Sequence, residues 1–296
     1  MTAQRNHPTA LQSFFSPASV ALVGATDREG SVGRTVLANL LSGAFHGRVY
    51  AINPGRKAVL GIPCYQKITE VPERVDLAVV VTPAPTVPDV IRDCVTAGVA
   101  SAIVISAGFK EKGSDGAELE RRSKLELRGS PMRVVGPNCL GMMNPRLGLN
   151  ATFARDIARS GNVAFLSQSG ALLTAILDWS SREQVGFSAI VSTGSMLDVG
   201  WGIWSPFLER THRHRASSCT WNQLEMRVRF YPRRAPWPSI NRSLSSRPAD
   251  RKRLRKLRPR IQERSRVATK CLTLRSADVE FFACRVFLTC SPWRKC

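Results

Sequence analysis

Glycine is missing from the last 94 of the 296 residues: 20 of the 21 glycines lie at or before Gly200, and the last is Gly202. At ordinary usage of ~7%, such a stretch holds about six or seven. Turns there have no ready source of positive φ. Acid is scarce in the same place. Residues 201–296 carry 23 Lys+Arg and 6 Asp+Glu, a net of +17, whereas residues 1–200 carry 20 and 16, a net of +4. No apolar run approaches the roughly 18 residues of a membrane-crossing helix. The first twenty residues lack a basic start followed by an apolar stretch, so no secretory signal is read and a cytoplasmic location is expected. The eight cysteines form no C-x-x-C pair and no zinc spacing, so no metal site is expected. A disulfide framework would need an oxidising compartment that nothing in the sequence supports. Histidine is nearly absent from the first 200 residues. His7 and His46 stand in no catalytic setting there.

What is present divides at the same point. A hydrophobic fraction of 43% is enough for a core and excludes global disorder. Five of six Trp and five of eight Cys fall after Gly200, and seven of the ten residues 251–260 are Arg or Lys. One reading of that stretch is a basic nucleic-acid-binding arm. Against it, its aromatics are scattered with no stacking or groove-reading pattern, and charge alone gives only non-specific binding. The stretch shows no sustained strand alternation or helical stripe. Residues 203–296 are therefore expected to be a poorly folded basic tail.

Residues 18–200 alternate strands and helices. Short apolar runs at 19–23, 49–52, 77–81, 102–105 and 132–135 suit buried parallel strands. Helical spacing intervenes at 32–41, 87–97 and 118–127. The repetition predicts an α/β, Rossmann-like, doubly wound parallel sheet, whose ligands bind at the carboxyl ends of the strands. A second unit starts near Gly161, with strands at 163–166 and 189–191 around a helix at 171–181. The pattern stops after Trp201-Gly202. A lone β-α-β piece cannot cover both faces of a sheet, so an incomplete domain with an exposed apolar face and poor stability is expected.

The strand-end loops hold the candidate chemistry. Gly24 to Gly33 (GATDREGSVG) lies between a strand and a helix, where small residues admit a phosphate to the helix N-terminus. It is neither a Walker A loop nor a strict G-x-G-x-x-G, and a plain tight turn fits it too. Asn53-Pro54-Gly55-Arg56-Lys57 places bases where dinucleotide enzymes often have an acid, which suits a phosphorylated ribose or a solvated turn. Val81-Thr82-Pro83, Ser106-Ala107-Gly108 and Gly136-Pro137-Asn138-Cys139 end later strands with little side-chain bulk. Cys139 reads as a half-buried thiol rather than a nucleophile, because no histidine motif accompanies it. Ser167-Gln168-Ser169-Gly170 precedes a helix, as an anion cradle or an ordinary Ser N-cap.

Together these pieces resemble the N-terminal part of the NDP-forming acyl-CoA synthetases, the ADP-forming acetate–CoA ligases among them, related to the α subunit of succinyl-CoA ligase. FFSPASVALVGATDREGSVG, YAINPGR, VDLAVVVTPAP, AIVISAGFKE, VVGPNCLG, GNVAFLSQSGAL and STGSMLDVGWG run in family order from about residue 11 to 202. The resemblance implies an N-terminal tail (1–12), a CoA-binding Rossmann-like domain (13–145) and the incomplete start of a flavodoxin-like domain (146–202). By motif, Gly24, Ala25, Thr26, Ser31, Val32 and Gly33 would face the CoA phosphates, with Arg56 near the adenosine phosphates. Val81, Thr82 and Pro83 would line the adenine or pantetheine path, with Ser106, Ala107 and Gly108 beside it. Asn138 and Cys139 would lie near the thiol end. Ser167, Gln168, Ser169 and Gly170 would begin the helix that holds a phosphoryl group. The family converts acetate or another acyl acid, ATP or GTP and CoA to acyl-CoA through a phosphohistidine, and uses Mg2+ with its nucleotide. Intact relatives are expected to be oligomeric or fused to an ATP-grasp domain. Some long members also carry an acetyltransferase domain, so a CoA-sensing part of a protein lysine acetyltransferase is the rival within the family.

The family histidine sits in a Ser-His-Thr-Gly or Gly-His-Ala-Gly stretch, and this sequence has neither. The genetic code offers a reason. With permitted synonymous codons, Ile203 to Leu208 can be read one base earlier as Asp-Leu-Val-Ser-Phe-Leu. The same frame, carried through Asn241 to Thr269, yields family motifs in order, Ser-His-Thr-Gly among them. In GC-rich genes, shifted Ala and Gly codons become Arg codons, which accounts for the arginine excess. Residues 203–296 are therefore expected to be translated out of frame, in a truncated chain that binds CoA or acyl-CoA, no specific nucleic acid and no membrane, and makes no thioester.

Overall fold

The structure, a computed structural model, describes residues 9–42, 45–210 and 215–218. A single helical turn, α1 (Ala10–Ser13), delivers Phe14 into the core. Strand β1 (Ser19–Val23) is buried at every position, as its unbroken apolar run requires. Helix α2 (Val32–Leu41) buries Gly33, Val36, Leu37 and Leu40, the i, i+3, i+4, i+7 stripe of a helix lying on a sheet. Then follow β2 (Arg48–Ile52), β3 (Ala58–Val59), β4 (Ile62–Tyr65), β5 (Leu77–Val80), α3 (Val87–Thr96), β6 (Ser101–Val104), α4 (Ser114–Glu126) and β7 (Arg133–Val135). These strands make one sheet, ordered β3-β4-β2-β1-β5-β6-β7, parallel except for the β3–β4 pair.

Alternation along the strands sorts the core. Val20, Leu22, Leu77, Val79 and Ile103 face one side; Ala21, Val23, Ala78, Val80 and Ala102 face the other. Val87, Ile91 and Cys94 of α3 cover the second side. The first side is shared between α2 and the next part of the chain.

That part comprises β8 (Gly141–Asn144), β9 (Leu149–Thr152), β10 (Ser160–Ser167), α5 (Gly170–Arg182), β11 (Phe187–Ser192), α6 (Trp201–Arg210) and β12 (Arg215–Ser218). Its sheet is ordered β12-β10-β11-β8-β9. β8 runs antiparallel to β11 and β9, and β10 parallel to β11 and β12. Met142, Leu149, Ala151, Ala164, Leu166 and Val191 join the same core cluster as Leu22 and Leu37. The Asn39 amide donates to the carbonyls of Thr152 (2.8 Å) and Ala154 (2.9 Å), stitching α2 to β9.

The doubly wound sheet and its strand positions agree with the sequence reading. Several expectations need correction. The second unit is not a bare β-α-β piece with an open apolar face. The β8–β9 hairpin widens its sheet, and the first sheet's core covers that side. Short alternations such as Gly141–Asn144 carry too little period to stand out in a sequence. β8, the last strand before residue 145, hydrogen-bonds to β11 in the second sheet. Order does not end at 202: α6 continues to Arg210, and β12 pairs with β10. The rest of the expected basic tail, with the five cysteines that follow Gly200, lies outside the described residues.

Trp204 anchors α6. It is fully buried, edge-on to Phe14 (5.5 Å between ring centroids) and to Phe15 (5.4 Å). Replacing Trp204 with Ala empties this contact and is expected to cost about 3–5 kcal/mol in urea unfolding. An unchanged urea midpoint would mean that α6 contributes nothing to the fold.

Candidate functional site

Strand order reverses between β1 and β5, because the chain leaves β1 toward β2 and returns on the other side. The crevice outside the carboxyl ends of those two strands is the ligand position of an open α/β sheet. Gly24 occupies it with φ +96, its N–H donating to the Ile52 carbonyl (2.9 Å). A Cβ at Gly24 would lie 3.0 Å from Val81 Cγ2 and 3.2 Å from the Thr82 nitrogen, and one at Gly33 would lie 2.5 Å from the Gly24 oxygen. The corner therefore closes only with glycine at both positions. Ala25 is buried beneath it. Thr26 Oγ1 accepts the Arg28 N–H (3.2 Å). Ser31 caps α2 by accepting the Arg34 N–H (3.3 Å), so the first-turn amides of Val32 and Gly33 aim along the helix axis into the crevice. Val32 is 39% exposed at this mouth.

Arg56 reaches the same mouth from the turn after β2. Its guanidinium pairs with Asp27 at 3.1 Å, with both side chains about half exposed. Arg34 Nη1 donates to the Asp27 carbonyl (2.6 Å), so Asp27 gathers two bases at the rim. Beyond β5, the Val81 N–H continues the ladder to the Val23 carbonyl (3.0 Å). Thr82 Oγ1 is shielded from solvent and has no hydrogen-bond partner. Pro83 is exposed and opens a short 3-10 turn. Ser106 Oγ donates to the Thr82 carbonyl (2.6 Å), tying the ends of β5 and β6 together. Ala107 is exposed, and Gly108 takes φ +112. Glu111 holds this loop by accepting the N–H groups of Gly108 (2.6 Å) and Phe109 (3.1 Å).

The Asn138 N–H donates to the Ser106 carbonyl (2.9 Å), so the loop after β7 joins the row. Asn138 is exposed at φ +55. Cys139 is not half-buried. It is enclosed, its thiol donates to the Val104 carbonyl (3.3 Å), and burial pushes its pKa up to about 12. Of this pair only Asn138 is exposed. In the second sheet, Ser169 Oγ accepts the Leu172 N–H (3.2 Å), and Ser167 Oγ accepts the Ser169 N–H (3.0 Å). Both hydroxyls thus serve as local caps. Gln168 is half-buried, with its amide 3.7 Å from Met196 Sδ. A Cβ at Gly170 would lie 3.5 Å from Leu140 Cβ, so the start of α5 abuts the loop after β7.

Every loop singled out from the sequence thus lies at the carboxyl edge of a strand, and hydrogen bonds link the ends of β5, β6 and β7. The sequence reading missed Asp27 and Glu111. Both are acids within the matching segments, and their role of accepting from backbone or arginine has no spacing signature. It also missed Asp198, whose partner, Arg133, is 65 residues away.

Residues 18–145 match the family described as CoA binding domain, and residues 160–231 the succinyl-CoA ligase like flavodoxin domain. Acetate–CoA ligase [ADP-forming] I of Archaeoglobus fulgidus is 48% identical over 201 residues, covering 67% of this chain and 28% of the relative. The α subunit of acetate–CoA ligase [ADP-forming] II of Pyrococcus furiosus is 37% identical over 206 residues, covering 70% of this chain and 45% of the relative. Among solved structures, the apo form of Ca. Korarchaeum cryptofilum acetyl-coenzyme A synthetase 1 superposes with TM-score 0.65 at 40% identity, covering 70% of this chain and 45% of that one. The same enzyme in complex with phosphate and ADP gives TM-score 0.66 at 36% identity, covering 71% and 51%. The chain thus spans about a quarter to a half of the length of these relatives. Among the described residues no helix is long and apolar enough to cross a membrane.

Burial acts to raise the pKa of Glu111, but the backbone N–H groups it accepts outweigh that and hold it below the ordinary carboxylate value. Such a group stabilises the loop above its unfolded pKa and loses that contribution as pH falls through the lowered one. Amide-exchange protection of Gly108 and Phe109 is expected to be full at neutral pH and to be lost as pH falls below the ordinary glutamate range. Glu111→Gln should lower protection at neutral pH and flatten the acid response. Identical profiles for the two proteins would refute the anchoring role.

Proposed function

We propose, for a chain that belongs over residues 18–145 and 160–231 to the domain pair of the NDP-forming acyl-CoA synthetases, that it binds coenzyme A across the carboxyl ends of β1, β5, β6 and β7 and does not by itself complete thioester synthesis. The observation that carries the first part is the glycine corner. Gly24 and Gly33 let backbone close on backbone at the switch point, which clears the N-terminus of α2 for a phosphate group. The unpartnered Thr82 hydroxyl beside it supplies a polar group in need of a partner.

When bound, CoA supplies the thiol that accepts an acyl group. The chain's own residues bind and orient it. The amides of Val32 and Gly33, with the dipole of α2, neutralise the diphosphate. Gly24, Ala25 and Thr26 form the floor. Arg56, exchanging Asp27 for a stronger anion, holds the phosphates at the adenosine end. Val81, Thr82 and Pro83 take one flank of the nucleotide or pantetheine, and Ser106, Ala107 and Gly108 the other. Asn138 faces the thiol end, and Cys139 contributes its backbone alone. The first turn of α5 after Ser167, Gln168, Ser169 and Gly170 would receive a phosphoryl group. ATP or ADP with Mg2+ would be used by relatives that carry an ATP-grasp domain, fused or as a separate partner.

The second part rests on the sequence. No Ser-His-Thr-Gly or Gly-His-Ala-Gly stretch occurs, and the glycine loss and arginine excess begin together near Gly202. We read residues 203–296 as out of frame. The aligned share of the relatives above, 67–70% of the chain, supports that reading. The match of the flavodoxin-like family to residue 231 bears against placing the whole break at 202. Independent sequencing of the gene decides: a one-base relative of the tail supports the reading, and an intact frame in independent reads refutes it.

For the ligand, Val32→Asp is the discriminating variant. Val32 is exposed, and an acid in the first turn suits a helix while repelling a phosphate. Calorimetric titration of CoA should show binding by the wild-type chain, weakened by about tenfold or more in Val32→Asp, with the melting temperature kept or raised. A folded wild-type chain that takes up no CoA would overturn the reading. So would a variant that binds unchanged. Turnover of acetate, ATP and CoA at the rate of an intact ligase would overturn the second part.

A further inference from the structure

We infer that Asp198 is a positioning residue: through Arg133 it clasps the segment 192–199 to the edge of the first sheet and thereby fixes the loop 136–140 at the thiol end of the groove. The inference rests on the CoA reading above for its ligand, and on geometry alone for the clasp.

β7 ends the first sheet, so its outer edge would otherwise present unpaired backbone groups. The segment after β11 covers that edge. The N–H groups of Ser195, Leu197 and Val199 donate to the carbonyls of Pro137 (2.9 Å), Gly136 (2.9 Å) and Val134 (3.1 Å). Every second residue donates, which is the period of an added strand. One side chain locks the register. Asp198 accepts Arg133 Nε at 2.7 Å and Nη2 at 2.8 Å, a bidentate fork, and its Oδ2 also accepts the Val134 N–H at 2.9 Å. The two side chains are 33% and 25% exposed, so water screens them only in part.

The same segment grips two candidate binding loops. The Leu140 N–H donates to Ser192 Oγ (2.9 Å), and a Cβ at Gly194 would lie 2.7 Å from the Asn138 oxygen. The Thr193 N–H donates to the Ser167 carbonyl (2.8 Å), at the turn that starts α5. The thiol-end loop and the start of α5 therefore hang from one strap; the Lys110 ammonium also donates to its Ser195 carbonyl (2.9 Å), and Asp198 is the side chain that ties it to β7. Neither Arg133 nor Asp198 stands among the groups assigned to CoA, so their effect would act through the backbone of 136–140.

The test uses the full chain, with Asp198→Asn and the milder Arg133→Lys. Amide exchange reads the strap directly. Protection of Leu197 and Val199 should fall by about tenfold or more in Asp198→Asn and by less in Arg133→Lys, because an uncharged amide and a non-forked ammonium replace a charge-assisted fork. Two ligands read the positioning. CoA should bind Asp198→Asn about tenfold more weakly, while adenosine 3′,5′-bisphosphate, which lacks the pantetheine arm, should bind both proteins equally. An equal loss for both ligands would mean general destabilisation and would overturn the inference, as would unchanged exchange at Leu197 and Val199. A wild-type chain that binds neither ligand would overturn the CoA reading and the positioning role with it. The exchange data would still decide the strap.

Discussion

The Gly24 carbonyl lies where any side chain at residue 33 would have to go. That exclusion sets the distance between β1 and the first turn of α2, and so decides what the crevice at the switch point can accept. A helix held so close to a strand aims its free amides at a small volume. A phosphate is the common group that uses several such amides at once. The remaining loops add little side-chain bulk, and hydrogen bonds between Thr82, Ser106 and Asn138 carry the groove along three successive strand ends. The site is thus mostly backbone, and its specificity is that of shape and dipole more than of charged side chains.

The second sheet depends on the first. Its inward residues share one core cluster with Leu22, Leu37 and Val79, and Asn39 bonds across to β9. Fusion of the two cores explains how a small mixed sheet hides one of its faces. It also couples the groove to the turn at Ser167–Gly170. Trp204 extends that core into α6, beyond the point where the composition changes. The break in amino-acid usage and the end of the described fold therefore fall at different residues.

Much of this was legible in the sequence. Buried parallel strands announce themselves as unbroken apolar runs, so β1 and β5 and the helices α2 and α3 fall close to where periodicity puts them. The candidate loops were legible because small residues at strand ends have few other uses. The β3–β4 and β8–β9 hairpins were not, since two to four residues carry no measurable period. Cys139 looked half-exposed because a loop residue usually is; here the loop folds its thiol inward onto Val104. Asp198 and Arg133 were illegible for a different reason: a pairing across 65 residues is a fact of topology.

The central claim is that the open end of α2 receives the phosphates of CoA. Backbone amide chemical shifts test it most directly. On titration with CoA, the account predicts that the largest saturable shifts fall on Val32 and Gly33, followed by Gly24 and Thr26. Saturable binding that leaves those four amides unmoved would contradict it.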